Sequence, residues 1–230
     1  MNEVVLRMVA AKKTYTTLSK KVGQRFPSRT NFTGLHETNL EIHKGEILGV
    51  VGDNGAGKST LLRLISGGTP PTSGELIVRA TPRLISNAGI QMSALTVREN
   101  AELVGRSHGL PNREAKKFAE QVLVDSDLVD RADFRTDTLS AGMKVRFAFF
   151  LAVSGSPELV LMDEILSLSD EKFRALARRR VEELISTSAA TVITSHSKTV
   201  IRDYATRVIV LEEGRIVFNG STKAGLAFYS

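Results

Sequence analysis

Apolar residues along this chain fall into short continuous runs separated by stretches of helical spacing. Ile47-Leu48-Gly49-Val50-Val51 is one such run, the pattern of a strand covered on both faces in a parallel sheet. Leu159-Val160-Leu161-Met162, Thr191 to Thr194 and Val208 to Leu211 repeat it. Between them Leu61, Leu62, Leu64 and Ile65 recur at helical spacing, and Asp170 to Ile185 and Lys198 to Tyr204 read as further helices. Gly67 and Gly68 stop the first helix, and Pro70-Pro71 keep it from resuming. Strand, helix and strand in this order predict βαβ units with right-handed crossovers.

The ends of this core read differently. Val4 to Val9 and Leu40 to Ile42 are expected strands, joined by a polar, basic connection over about residues 16–36 that contains Gly23, Pro27 and Gly34. A connection of that length in a compact domain is functional or loosely ordered. Glu75 to Val78 predicts another strand. From about Leu95 to Ser156 the pattern turns helical, over Val97 to Val104, Glu114 to Val124 and Lys144 to Val153. The expected organisation is one α/β domain over residues 1–230, with a helical insertion at about residues 92–157 splitting a parallel-sheet core.

Composition narrows the class. Of the 230 residues, 42% are hydrophobic and 24% charged, enough apolar surface to offset chain entropy, so disorder is excluded. There is no cysteine, which removes disulfides, zinc–thiolate sites and thiol catalysis. Ala148 to Val153 falls far short of the roughly 18–20 apolar residues of a membrane span, and Met1 to Val5 shows no leader pattern. A soluble, cytoplasmic protein is expected. The net charge is +6, with basic residues gathered at Lys12, Lys13, Lys20, Lys21, Arg25 and Arg29 and again at Arg178-Arg179-Arg180. Such clusters suit nucleic acid, an anionic membrane face or plain solvated surface. Aromatics do not interleave with them as a stacking platform requires, so no nucleic-acid partner is expected.

The sharpest chemistry lies at Gly52-Asp53-Asn54-Gly55-Ala56-Gly57-Lys58-Ser59-Thr60. Two glycines five apart followed by Lys and Ser, set between a buried strand and a helix, form a phosphate loop. Glycines let the backbone curl its N–H groups towards phosphate oxygens, and the helix N-terminus adds a positive dipole end. Lys58 can reach the β- and γ-phosphates and Ser59 can ligate Mg²⁺, so a nucleoside triphosphate with Mg²⁺ is the expected ligand. The run at Leu159 ends in Asp163-Glu164, two carboxylates delivered to the ligand edge of an open α/β sheet. Asp163 then serves the metal, and Glu164 acts as general base on the attacking water.

Leu139-Ser140-Ala141-Gly142-Met143 opens a helix between these two motifs, and with them it resembles the ATP-binding subunit of an ABC transporter, whose signature reads Leu-Ser-Gly-Gly-Gln. The chain departs from it at Ala141 and Met143. The resemblance implies a P-loop core with an N-terminal antiparallel β subdomain and an inserted helical subdomain. It also implies a head-to-tail homodimer in which Ser140, Ala141 and Gly142 reach the γ-phosphate held by the opposite copy. By the same resemblance His196, after Thr194-Ser195, holds the attacking water together with Glu164. Asp170 contacts the opposite copy, Tyr15 stacks on adenine, and Gln91 ligates Mg²⁺. Read from the residues alone, Ser140 is equally an ordinary helix cap and Tyr15 equally a tyrosine at a strand end.

Glu164 is followed by Ile165-Leu166-Ser167 and not by the usual Pro-Thr, and Arg146-Phe147-Ala148-Phe149 follows the signature. Phe32 to Leu40 and the segment Gly220 to Tyr229 fit the same branch. These features resemble the subfamily that exports lipid-linked polysaccharides: O-antigens, capsules, teichoic acids and cell-wall galactan. That resemblance implies a separate membrane-spanning permease as partner, a peripheral position on the cytoplasmic face of the inner membrane, and a lipid-linked glycan as cargo. Export of drugs or lipids is the alternative within transporters, and a soluble ABC ATPase acting on ribosomes or DNA is the alternative outside them.

Overall fold

A computed structural model describes residues 3–19, 28–86, 93–164 and 171–229. The chain divides into two compact units, one of Met1–Leu84, Pro157–Glu164 and Ser188–Ser230, the other of Ile85–Ser156 and Ile165–Thr187. Among the described residues no helix is long and apolar enough to cross a membrane.

The first unit opens with β1 (Val4–Ser19) and β2 (Ser28–His43), long antiparallel partners. It continues with β3 (Ile47–Val51), α1 (Lys58–Ile65), β4 (Ser73–Val78) and the first residues of β5 (Pro82–Ser86). Strand β4 joins β1 on its other side, giving a three-stranded sheet of order β2-β1-β4.

The second unit holds α2 (Val97–Ser107), α3 (Asn112–Asp125), α4 (Ala141–Val153) and, after the excursion of β6 (Leu159–Asp163) into the first unit, α5 (Glu171–Thr187). Phe149, Phe150 and Phe173 pack edge to face between α4 and α5, with centroids 5.2–5.9 Å apart. Arg178 and Arg179 pair with Glu182 and Glu183 one turn on, and Arg180 pairs with Glu183 and with Asp125 of α3. The second basic run is therefore a salt-bridged helix face.

The chain then returns to the first unit with β7 (Ala190–Thr194), α6 (Lys198–Tyr204), β8 (Arg207–Glu212), β9 (Arg215–Ser221) and α7 (Thr222–Phe228). Six strands form a second sheet in the order β5-β6-β7-β3-β8-β9. Strands β6, β7, β3 and β8 are parallel, and β9 closes the edge antiparallel to β8. The apolar runs read from the sequence are these parallel strands, each buried nearly throughout. Their side chains share one core with the antiparallel sheet and α1, built on Leu6, Met8, Leu48, Val50, Leu61, Leu64, Leu161, Val192 and Ile209. Each such side chain contributes about 1.5–3 kcal/mol by leaving water, so this layer fixes the sheet whose edge carries the chemistry.

The N-terminal connection differs from expectation. Residues 16–19 and 28–36 are strand, paired out to Ser19 opposite Ser28, so only residues 20–27 separate β1 from β2 and these lie outside the described residues. The ribbon is held by cross-strand pairs of β-branched and aromatic residues, including Tyr15 opposite Phe32 and Thr17 opposite Thr30. Strands β5 and β9 and helix α7 are additions to the elements predicted from sequence.

Candidate active site

The phosphate loop starts where β3 ends, and two of its glycines, Gly52 and Gly57, are sterically required. Gly52 has φ 153°, and a Cβ there would lie 2.3 Å from the carbonyl oxygen of Leu211 on β8. Gly57, with φ 107°, is the N-cap of α1, and a Cβ on it would fall 2.7 Å from the carbonyl oxygen of Gly34. The loop is also braced from outside. Gly214, in the β8–β9 turn, donates its N–H to the Ala56 carbonyl at 2.9 Å and accepts from the His36 N–H at 2.7 Å. Lys58 is only 8% exposed, and its Nζ donates to the carbonyls of Gly52 at 2.6 Å and Asp53 at 3.0 Å. The ammonium is thus held inside the curl of the loop, beside the N-terminus of α1, where both favour an anion. Asp53, Asn54, Gly55 and Ser59 are exposed, Thr60 is half-buried, and Ala56 is buried beneath them.

The parallel pairing brings the second motif to the same sheet edge. Strand β7 lies between β3 and β6, with Thr194 opposite Val50 on one side and Asp163 on the other. The buried Thr194 hydroxyl donates to Asp163 Oδ1 at 2.6 Å. Glu164 then leaves the strand at φ 53°, the left-handed region, at a cost of about 1–2 kcal/mol for a non-glycine residue. Its N–H donates to the Thr194 carbonyl at 3.2 Å. His196, two residues beyond the end of β7, faces it, with Nε2 2.7 Å from Glu164 Oε1. Both side chains are nearly half exposed, so this pair is open to a substrate. A strained backbone that aims a carboxylate at an imidazole on the ligand edge is an acid–base arrangement.

The remaining predicted residues fall as follows. Tyr15 stacks on Phe32 with ring centroids 5.2 Å apart, and Lys13 Nζ sits 5.3 Å from its ring centroid. The Tyr15 hydroxyl is buried without a hydrogen-bond partner among the described residues. Ser140 caps α4 by accepting from the Met143 N–H at 3.3 Å, as the cap reading required. Ser140, Ala141 and Gly142 are exposed, and a Cβ on Gly142 would meet no described atom within 4 Å. Gln91 and Asp170 lie outside the described residues.

Among the described residues no three His, Asp or Glu side chains converge as a metal cage. The expected Mg²⁺ donors are the exposed Ser59 hydroxyl of the loop and the Asp163 carboxylate at the end of β6. One hydroxyl and one carboxylate suit Mg²⁺, which keeps waters and is completed by substrate phosphates. Two contacts escaped the sequence reading, Thr194 on Asp163 and the Tyr229 hydroxyl, which donates to Asp53 Oδ1 at 3.0 Å. The partners are 31 and 176 residues apart, and no local pattern joins them.

Residues 35–167 match the family described as "ABC transporter". The chain is 30% identical to "Teichoic acids export ATP-binding protein TagH" of Listeria innocua, over 84% of this chain and 58% of that protein. It is 31% identical to "ABC transporter protein AbcA" of Aeromonas salmonicida, over 84% of this chain and 63% of that one. The chain spans about half the length of the curated relatives it matches. The fold is that of a dimeric ATP-binding cassette, MJ0796, bound to ADP and Pi, with TM-score 0.72 at 23% identity over 94% of this chain and 98% of that one. It matches an ATP-binding subunit of an ABC transporter equally well, with TM-score 0.74 at 21% identity over 94% and 90% of the two chains.

Proposed function

We propose that this chain, which belongs to the ABC transporter family, binds and hydrolyses ATP with Mg²⁺ and so energises export of a lipid-linked polysaccharide through a separate membrane-spanning subunit. The observation that carries the ATPase reading is the convergence on one sheet edge of the Gly52–Thr60 loop, the Thr194–Asp163 hydrogen bond and the Glu164–His196 pair.

In this reading the loop's N–H groups and Lys58 hold the β- and γ-phosphates, and the helix dipole of α1 offsets their charge. Ser59 and Asp163 would hold Mg²⁺, which when bound neutralises charge on the phosphoryl group in flight. Glu164 accepts the proton of the water that attacks the γ-phosphorus, while His196 orients the carboxylate and the water. Two copies associate head to tail, and exposed Ser140, Ala141 and Gly142 of one copy face the γ-phosphate held by the other. The open space around Gly142 supports this, because a glycine with nothing to avoid among the described residues is suited to close approach by another surface. Dimer closure on ATP moves the permease, and the chain sits peripherally on the cytoplasmic face of the membrane.

The cargo reading is supported by resemblance to the polysaccharide-exporting branch and by the relatives named for teichoic acid export. Two experiments test the proposal. Glu164→Gln is expected to lower turnover by at least about 100-fold while ATP still binds and traps the dimer, and a near-normal rate overturns the base assignment. Depletion of the chain in its native cell is expected to accumulate a lipid-linked glycan on the cytoplasmic side, read by mass spectrometry, with loss of that polymer from the surface. An unchanged glycan pool rejects the cargo.

A further inference from the structure

Helix α7 ends against the phosphate loop, and it does so from a fixed platform. Ser221 caps it by accepting from the Ala224 N–H at 3.4 Å, and the Thr222 hydroxyl donates to the Ala205 carbonyl at 2.7 Å. Gly225 is buried so tightly on β8 that a Cβ would lie 2.8 Å from a Val208 methyl. Phe228 stacks on Phe218 of β9 with centroids 5.3 Å apart. The Tyr229 N–H donates to the Gly225 carbonyl at 3.0 Å, and Lys198 Nζ lies 5.6 Å from its ring centroid. The Tyr229 hydroxyl is therefore presented to Asp53 by a braced helix end.

Asp53 is the first residue after Gly52 in a loop that must accept a polyanion. A carboxylate there repels triphosphate unless it is held and partly compensated. The cleft beside it, about 480 Å³, is lined also by Glu212 and Glu213 against Arg215, so the local charge is negative on balance. The Tyr229 hydroxyl supplies the compensation, donating to Asp53 Oδ1 at 3.0 Å. Burial first, and then the neighbouring Asp53 carboxylate, raise this hydroxyl above its ordinary 10.0, so it remains a donor at every physiological pH.

We propose that Tyr229 is a positioning residue for the phosphate loop, its hydroxyl on helix α7 holding and partly compensating the Asp53 carboxylate so that this contact tunes affinity for ATP. The inference rests on the reading of Gly52–Thr60 as an ATP site.

The test measures binding of a fluorescent ATP analogue, with Mg²⁺, to the full chain and to Tyr229→Phe, Tyr229→Phe with Asp53→Asn, and Lys58→Ala. Tyr229→Phe keeps the ring and its packing, which a circular dichroism melt checks. It is expected to weaken binding about three- to ten-fold, the effect of unpairing one charged acceptor at a partly exposed site. The loss falls on KM for ATP more than on kcat, and it shrinks in 0.5 M salt because about one Debye length of 4 Å then screens the carboxylate. Adding Asp53→Asn, which removes the unpaired charge, restores affinity. Binding by Tyr229→Phe that equals the wild type overturns the proposal, and so does a loss that Asp53→Asn fails to rescue, which marks a packing role only. A wild type that binds no nucleotide, indistinguishable from Lys58→Ala, overturns the ATP reading and this inference with it.

Discussion

Thr194 offers a way to separate the chemistry of the sheet edge from its stability. Its side chain is 1% exposed, and its hydroxyl donates to Asp163 Oδ1 at 2.6 Å, much closer than the Met162 carbonyl at 3.3 Å. Thr194→Val keeps the shape and removes the donor. The lost bond to a charged acceptor is worth about 1.5–3 kcal/mol. The added methyl returns about 1 kcal/mol of burial. The net destabilisation is about 0.5–2 kcal/mol, a fall in Tm of about 1–8 °C for a chain of this size. Thr194→Ser makes the opposite change: it keeps the hydroxyl and loses a buried methyl, again costing about 1 kcal/mol. The two variants thus lose similar stability, but only valine frees the carboxylate expected to hold Mg²⁺. Loss of a side chain that orients a metal ligand typically costs about 10–100-fold in metal affinity or activity. ATP turnover titrated with Mg²⁺ should therefore show a raised half-saturating concentration for Thr194→Val and a near-normal one for Thr194→Ser. Equal curves for the two variants would refute the assignment of Asp163 and leave Thr194 a packing residue.

Gly52→Ala should abolish nucleotide binding and lower Tm, because its Cβ would lie 2.3 Å from the Leu211 carbonyl oxygen; Gly55→Ala, with no described atom within 4 Å, should cost only the about 1–2 kcal/mol of its positive φ, and a thermal melt with ATP titration compares them. At the start of α2 the Thr96 N–H and hydroxyl donate to Glu99 at 2.8 and 3.0 Å and hold its carboxyl below the ordinary 4.5. A carboxylate with a lowered pKa stabilises fully above its unfolded value and loses that contribution as pH falls through its folded value, so the urea midpoints of wild type and Glu99→Ala should differ at pH 7 and converge as the pH falls below about 4.

What could be read in the sequence was what short-range physics dictates. A strand buried on both faces must be apolar throughout, so β3, β6, β7 and β8 were legible, and the glycines of the phosphate loop were legible because only they admit its backbone. The β1–β2 ribbon was not, because beyond Lys13 it has little core to face and its polarity imitates a loop. Its signal lay in β-branched and aromatic content, in Thr14, Tyr15, Thr16 and Thr17 opposite Thr30, Asn31, Phe32 and Thr33. The carboxylates at the end of β6 were legible as a pair, but what holds each one was not. Thr194 meets Asp163 only because β7 inserts between β6 and β3, and His196 meets Glu164 only because the same strand ends level with it. Tyr229 reaches Asp53 only after β8, β9 and α7 have folded back along the sheet. The sequence therefore names the groups expected to meet phosphate, whereas the groups that set their orientation are products of strand order. The consequence is practical: substitutions at Thr194 and Tyr229 should change affinity and metal dependence while leaving every recognisable motif of the chain intact.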